Sequence, residues 1–547
     1  MRRHGALGLV ALLVVGCETG ATPYRPAPTE RVPTPGSARE VSGLSPREAP
    51  ACDGELGAPI LRRLTSTQLR NTLEDVFDSP NVPLGDLVVD PSVDGYDVDA
   101  RAAVIRDLDA ERLMLGSETI ARWAAYERVP ALLSCTANTP VCRVGFVTWL
   151  GRRLYREPLD NETFLAYDAM FDRDGTFAEG AEVVIRTMLQ SPRFLYRSEL
   201  GEPDPDAPGL VQLTRWELAT ELAFYLTNSA PDDELLDAAG AGRLRTDEDL
   251  DREAERLLAT DRGAEALARF AREWLGTDRL AGRPKDPRVT AFTEDVRASM
   301  VRETDTLFLD VVASGGGLSA LFTSRHTFLD PTLAAFYGVP PDGIGALVRI
   351  DTADAGRAPG VLGHGSVLAT YARADTSSPT QRGLLVRRRL LCESIPSPPP
   401  GIDTSLAPRP DARTTRERYE AHLVDDTCVG CHRRVDPIGF ALERYDGFGR
   451  ARETEAGLPI DDTGTILGTP RGDLAIEGVD DLARFLARSP EAHACFRDQL
   501  SYYAFGTEGC LYPEATDGLD GDTPLIDLIG GVVHARNFRF RAMPTAP

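Results

Sequence analysis

Residues 428–446 read Cys428-Val429-Gly430-Cys431-His432, then Arg433-Arg434-Val435-Asp436-Pro437-Ile438-Gly439-Phe440-Ala441-Leu442-Glu443-Arg444-Tyr445-Asp446. Two thiols separated by two residues can form thioethers with the two vinyl groups of one haem, while the adjacent imidazole reaches the iron from one face. Cys428 and Cys431 are therefore expected as covalent attachment points and His432 as the proximal ligand of one haem c. A structural zinc needs four Cys or His ligands, and no second CxxC or HxxxH lies nearby. A redox dithiol belongs beside a βαβ pattern, which is absent. A plain disulfide is the remaining alternative. A backbone carbonyl just past such a histidine can accept its Nδ1–H and fix the ring, and the Asp436-Pro437 turn is expected to supply it. Arg433 and Arg434 read as solvated, with pairing to haem propionates as the alternative.

Upstream, the apolar residues recur mostly with a helical period, and strand-like alternation is scarce. Thr65 with Gln68 has the spacing of a reciprocal cap, followed by a stripe of Leu69, Leu73, Val76 and Phe77. Further helices are expected at 100–126, 146–155, 162–171, 179–190, 215–227, 247–258, 264–275 and 293–312, and Asp330-Pro331 reads as a cap plus first-turn proline. Ser394 to Gly401, SIPSPPPG, is a polyproline-type break. The fold class is mainly α: serial, bundle-like helical modules, with a c-type-cytochrome-like helical module toward the C-terminus.

At the other end, Arg2 and Arg3 precede an apolar run from Ala6 to Val15 that is too short to span a bilayer at about 1.5 Å per residue. The run ends in Val14-Val15-Gly16-Cys17, which resembles a bacterial lipobox. Residues 1–16 are expected as a signal peptide, Cys17 as the lipidated anchor and 17–55 as a Pro/Thr/Ser-rich tether. An extracytoplasmic, membrane-tethered chain lives where haem c is attached, so the two motifs agree. Six further cysteines suit an oxidising compartment. Cys135 with Cys142 and Cys495 with Cys510 would each close a short loop, and elimination leaves Cys52 with Cys392.

The 547 residues carry 60 Lys+Arg against 84 Asp+Glu, a net charge of -24, which excludes broad nucleic-acid binding. Lys285, in RPKDP, is the single lysine, so no GxxxxGK[ST] phosphate loop exists, and the residue reads as a solvated loop position. No GxSxG, HExxH or GxGxxG after a strand supports a hydrolase, zincin or dinucleotide reading. Asp90, Asp94, Asp97 and Asp99, and Asp517, Asp520 and Asp522, lack EF-hand spacing and read as solvated loops rather than calcium sites.

The strings RRLTSTQLRNTLEDVF, FVTWLGRRLYREPLDNETF, IRTMLQSPRFLYRSELG and SSPTQRGLLVRRRLLCESIPSPPPGI, followed by CVGCHRRVDPIGFALERYDGFGRAR, together resemble the planctomycete-type multi-domain cytochrome-like proteins built from PSD and PSCyt modules. The resemblance implies helical PSD-type modules at 56–130, 135–205, 208–340 and 465–547, and a haem-binding PSCyt-type module at 355–455. It supplies no established reaction. It also implies a histidine at the place of His422, which stands as a haem-edge or distal residue. Other candidates for the distal face are His364, His493, His534 and Met543. The leading expectation is a lipid-anchored, extracytoplasmic c-type haem protein that transfers electrons to a redox partner protein or performs a haem-dependent oxidation. The alternative is an envelope scaffold that binds a polysaccharide or a partner, with an auxiliary haem.

Overall fold

The structure, a computed structural model, describes residues 56–543 except 86, 87, 101, 172, 173, 206, 341, 342, 344, 397–410, 427 and 507–519. The signal segment, Cys17, the tether, Cys52, Cys510, Asp517 and the Pro-rich run from 397 lie outside the described residues. No described helix is long and apolar enough to cross a membrane.

Helices dominate, and local signals place their ends. Thr65 accepts the N–H of Gln68 while Gln68 returns a bond to the Thr65 N–H, which starts helix Ser66–Val76. The same reciprocal cap opens Phe177–Leu189, Arg215–Thr227 and Asp247–Leu258. Asp330 caps Pro331–Tyr337 through the Leu333 N–H. The expected 100–126 helix starts later, at Asp107, and runs on past Trp123 into one wide turn, Ala124–Arg128. The 146–155 helix starts earlier, at Pro140, because Thr139 caps it.

The modules are not beads on a string. Helix Arg215–Thr227 is buried from Leu218 through Thr227, so it packs on all sides. One apolar core takes residues from Tyr96 through the helix and strand segments of 215–322, 361–391 and 438–505 to Phe538. Strand Phe540–Ala542 pairs antiparallel with Leu210–Gln212, and strand Ile60–Arg63 with Tyr196–Glu199. The physical reason is that an amphipathic helix pair cannot cover its own apolar stripe, so each module borrows a face from the next. The expected C-terminal helical module opens instead on a hairpin, Thr463–Thr469 with Gly472–Glu477, before helices Gly478–Arg488 and Pro490–Phe505.

Cys135 pairs with Cys142 as expected. The other pairings are corrected: Cys392 bonds Cys495, 103 residues away, rather than Cys52 or Cys510. Packing decides it, since Arg389 and Gln499 hold the wide turn Leu385–Leu390 against helix Pro490–Phe505 and bring the two Cα atoms to 5.2 Å.

Lys285 is also corrected, because it is partly buried and docked rather than solvated. Its Nζ donates to the carbonyls of Arg373 (2.9 Å) and Gly447 (2.7 Å). Burial and the guanidinium groups of Arg382, Arg297 and Arg283 pull its pKa down to about 7. Because the folded value lies below the unfolded one, this group adds stability as pH rises from about 7 toward 10.5. With lysine labelled at 13Cε the folded protein is expected to give one signal titrating near pH 7, which moves above pH 10 in denaturing urea. A folded midpoint above 9 would contradict the docked geometry.

Candidate functional site

The motif winds as the first turn of helix Val429–Phe440. The N–H groups of Cys431 and His432 both reach back to the Cys428 carbonyl, at 3.2 and 3.1 Å. Positions i, i+3 and i+4 share a helix face, so the two thiols and the imidazole lie together. Both thiols are free, Cys431 exposed and Cys428 partly so. Burial and the nearby Asp425 carboxylate hold the Cys428 thiol above its ordinary pKa, which disfavours the thiolate that a redox dithiol needs.

The chain fixes the histidine from behind. Nδ1 of His432 lies 2.8 Å from Oδ2 of Asp436, one turn on along the helix. Asp436 has no exposed side-chain area, and its Oδ1 accepts a 2.6 Å bond from the Thr380 hydroxyl. Burial alone would raise the Asp436 pKa, but the adjacent His422 ring and donation from His432 and Thr380 outweigh it and keep the carboxyl low. An ionised carboxylate only accepts, so the proton sits on His432 Nδ1 and the Nε2 lone pair is the one available for a metal. His432 itself is 24% exposed, as an approachable ligand must be.

The expected carbonyl from an Asp436-Pro437 turn is replaced by this carboxylate. Residues 432–437 stay helical, which directs their carbonyls along the axis and places the Asp436 side chain, not its backbone, under His432. Pro437 serves the other side of the helix: its carbonyl faces Gly464, where a Cβ would come within 2.0 Å of that oxygen.

Two more glycines set the helix position. A Cβ on Gly439 would lie 1.9 Å from the Pro379 carbonyl oxygen, and one on Gly383 would lie 2.1 Å from that of Val435. The short helix Pro379–Leu384, which carries Thr380, can therefore press backbone to backbone against the motif helix. Buried Arg382 clamps the far end, donating to the carbonyls of Leu442 (2.7 Å), Tyr445 (2.8 Å) and Asp446 (2.7 Å). Glu443 completes the clamp by accepting from Ser377 and Arg452. The SSPTQRG and DPIGFALERYD strings are thus two halves of one contact.

His422 stands beside His432, with ring centroids 4.3 Å apart and its Nδ1 3.6 Å from the same Asp436 Oδ2. Two imidazoles trans across one metal need about 4 Å between their ligating nitrogens alone, with the metal between. The rings instead share one carboxylate from the same side, so His422 neighbours His432 and is not placed as a ligand opposite it. His364 is buried and bonded to Thr304 (3.0 Å), His493 to the Ala487 carbonyl (3.0 Å), and His534 to Asp251 (2.6 Å). Met543 follows the last strand, its N–H on the Gly209 carbonyl. Arg434 pairs with Glu393 at 2.7 Å, while Arg433 is exposed. His422, His432 and Asp436 also form a set that could ligate a small metal ion, although that use would divert His432 Nδ1 and leave both thiols idle. Three members of the first acidic cluster are engaged elsewhere: Asp90 with Arg63, Asp97 with Arg269, and Asp99 with the Ala102 N–H.

Sequence reasoning missed the carboxylate beneath His432. Its signal was the i+4 spacing of His432 and Asp436; Thr380, 52 residues upstream, left none.

Four family models match the chain in order, each described as a protein of unknown function: PSD3 (DUF1587) at residues 62–126, PSD5 (DUF1595) at 142–199, PSD4 (DUF1592) at 213–339 and PSCyt3 (DUF1588) at 358–455. The last contains the Cys428–His432 site and its Thr380 and Arg382 supports. The modules define a multi-domain, cytochrome-like class of protein. The chain belongs to the planctomycete-type members of that class. No curated protein and no solved structure matches it.

Proposed function

We propose that the chain is a c-type haem protein that works outside the cytoplasm in electron transfer or a haem-dependent oxidation, held to the membrane by a lipid on Cys17. Cys428 and Cys431 would hold one haem through thioethers, and His432 would meet it through Nε2. When bound, haem supplies one-electron redox chemistry. The carrying observation is the first turn of the motif helix, which gathers two free thiols and an imidazole whose other nitrogen is already taken. His422 lies on the proximal side, and His364, His493 and His534 are hydrogen-bonded elsewhere, which weighs toward oxidation over a closed shuttle.

Full-length protein from a host competent in haem attachment is expected to give a haem c spectrum in alkaline pyridine that survives denaturation. Cys431→Ala is expected to lose the covalent signal. A folded, haem-free product, or one holding zinc on His422, His432 and Asp436, would overturn the proposal.

A further inference from the structure

We propose that Asp436 sets the donor strength of the His432 ligand, so that the chain holds its bound haem at a low reduction potential. The inference rests on the haem reading above and adds a role for a residue that never touches the cofactor.

Three features carry it. First, the acceptor on His432 Nδ1 is a full negative charge rather than a neutral carbonyl, at 2.8 Å and away from solvent. Hydrogen bonds to ionised acceptors are roughly twice as strong as neutral ones. Drawing the Nδ1 proton toward Asp436 leaves Nε2 a stronger donor, with partial imidazolate character, and such a ligand favours the more positive oxidation state. Second, the carboxylate cannot turn aside. Its Oδ1 is tied to Thr380, and Thr380 rides on a helix locked to the motif helix at Gly383 and Gly439. Third, no described guanidinium offsets the charge. Arg434 is spent on Glu393, Arg433 points into solvent, and His422 stays 3.6 Å from Oδ2, beyond a hydrogen bond. His432 therefore has that oxygen to itself.

Asp436→Asn keeps the shape and removes the charge. At a poise equal to the wild-type midpoint, the ratio of reduced to oxidised haem is expected to rise at least tenfold, which is about 59 mV for one electron. The metal–histidine stretch of the reduced form is expected to fall in resonance Raman spectra. A merely structural role would move neither. Thr380→Val strips a competing donor from the carboxylate while leaving its charge, and is expected to shift the ratio the opposite way. If Asp436→Asn fails to keep haem, Thr380→Val carries the test alone. The alkaline pyridine spectrum of the wild type is read first: no haem there sinks the underlying function. Haem present with the Asp436→Asn ratio within twofold of wild type, or with Thr380→Val unchanged or shifted toward reduced, overturns this inference only.

Discussion

Arg382→Met is expected to lower the stability of the folded chain by about 3–5 kcal/mol, the range seen when one member of a buried ionic contact is removed. The guanidinium is 1% exposed, and it is the donor for carbonyls at the end of the motif helix and in the turn beyond it. Burial lowers its pKa to about 10, which leaves it charged at neutral pH. Methionine fills much of the volume but donates nothing, so three carbonyls and Glu443 each lose a charged donor in a dry site. Urea unfolding followed by circular dichroism should show a lower midpoint with an unchanged slope. Arg382→Lys should rescue little, because one ammonium cannot span the positions that a planar fork serves. Exposed Arg433→Met is the control, expected within about 0.5 kcal/mol of wild type. Equal effects from the two would contradict the clamp.

Glu199→Gln is expected to cost a similar amount at neutral pH, through a different network. Arg62 (3.1 Å) and Arg541 (2.9 Å) both reach Glu199, and Glu221 lies 3.6 Å from Arg62 and from Arg197. All five side chains are nearly inaccessible. Neutralising Glu199 leaves three buried guanidinium groups facing one carboxylate, a loss of about 3–5 kcal/mol. The pH dependence is a sharper check. Burial pushes the Glu199 pKa up, but Arg62, Arg541 and Arg197 win and hold it at about 2, below its ordinary 4.5. Its stabilisation is therefore complete above about pH 4.5 and is lost as pH falls toward 2. The gap between wild type and Glu199→Gln should close over that interval. A gap that persists at pH 2 would show that shape, not charge, is what glutamine fails to supply.

Local chemistry was legible in the sequence, and contacts made at a distance were not. Caps such as Thr65–Gln68 and Asp330–Pro331 act within three residues, so their spelling alone places a helix start. The CxxCH motif is equally local, one turn of helix from Cys428 to His432. Lys285 shows the opposite case. Flanking prolines indicate a loop, and only the fold brings Arg373 and Gly447 over its amine. The short-loop argument pairs Cys495 with Cys510 and leaves Cys392 for Cys52 by elimination, yet packing of two segments distant in sequence meets the closure cost of Cys392 with Cys495. Gly383 and Gly439 carry no local signal at all, and their role comes from the backbone of the partner helix that lies against each of them.

The pairing of strand Phe540–Ala542 with Leu210–Gln212 bears on how the protein comes to be made. Leu210–Gln212, which also pairs with Glu202–Pro203 on its other side, is synthesised about 330 residues before Phe540–Ala542. At roughly 5–20 residues per second the wait is on the order of 15–65 s. Throughout it, Leu210–Gln212 presents unpaired backbone groups, and the helices between lack the segment that seals their core. Nascent chains are therefore natural clients for a holding chaperone, and products truncated before Phe540 are natural substrates for a quality-control protease.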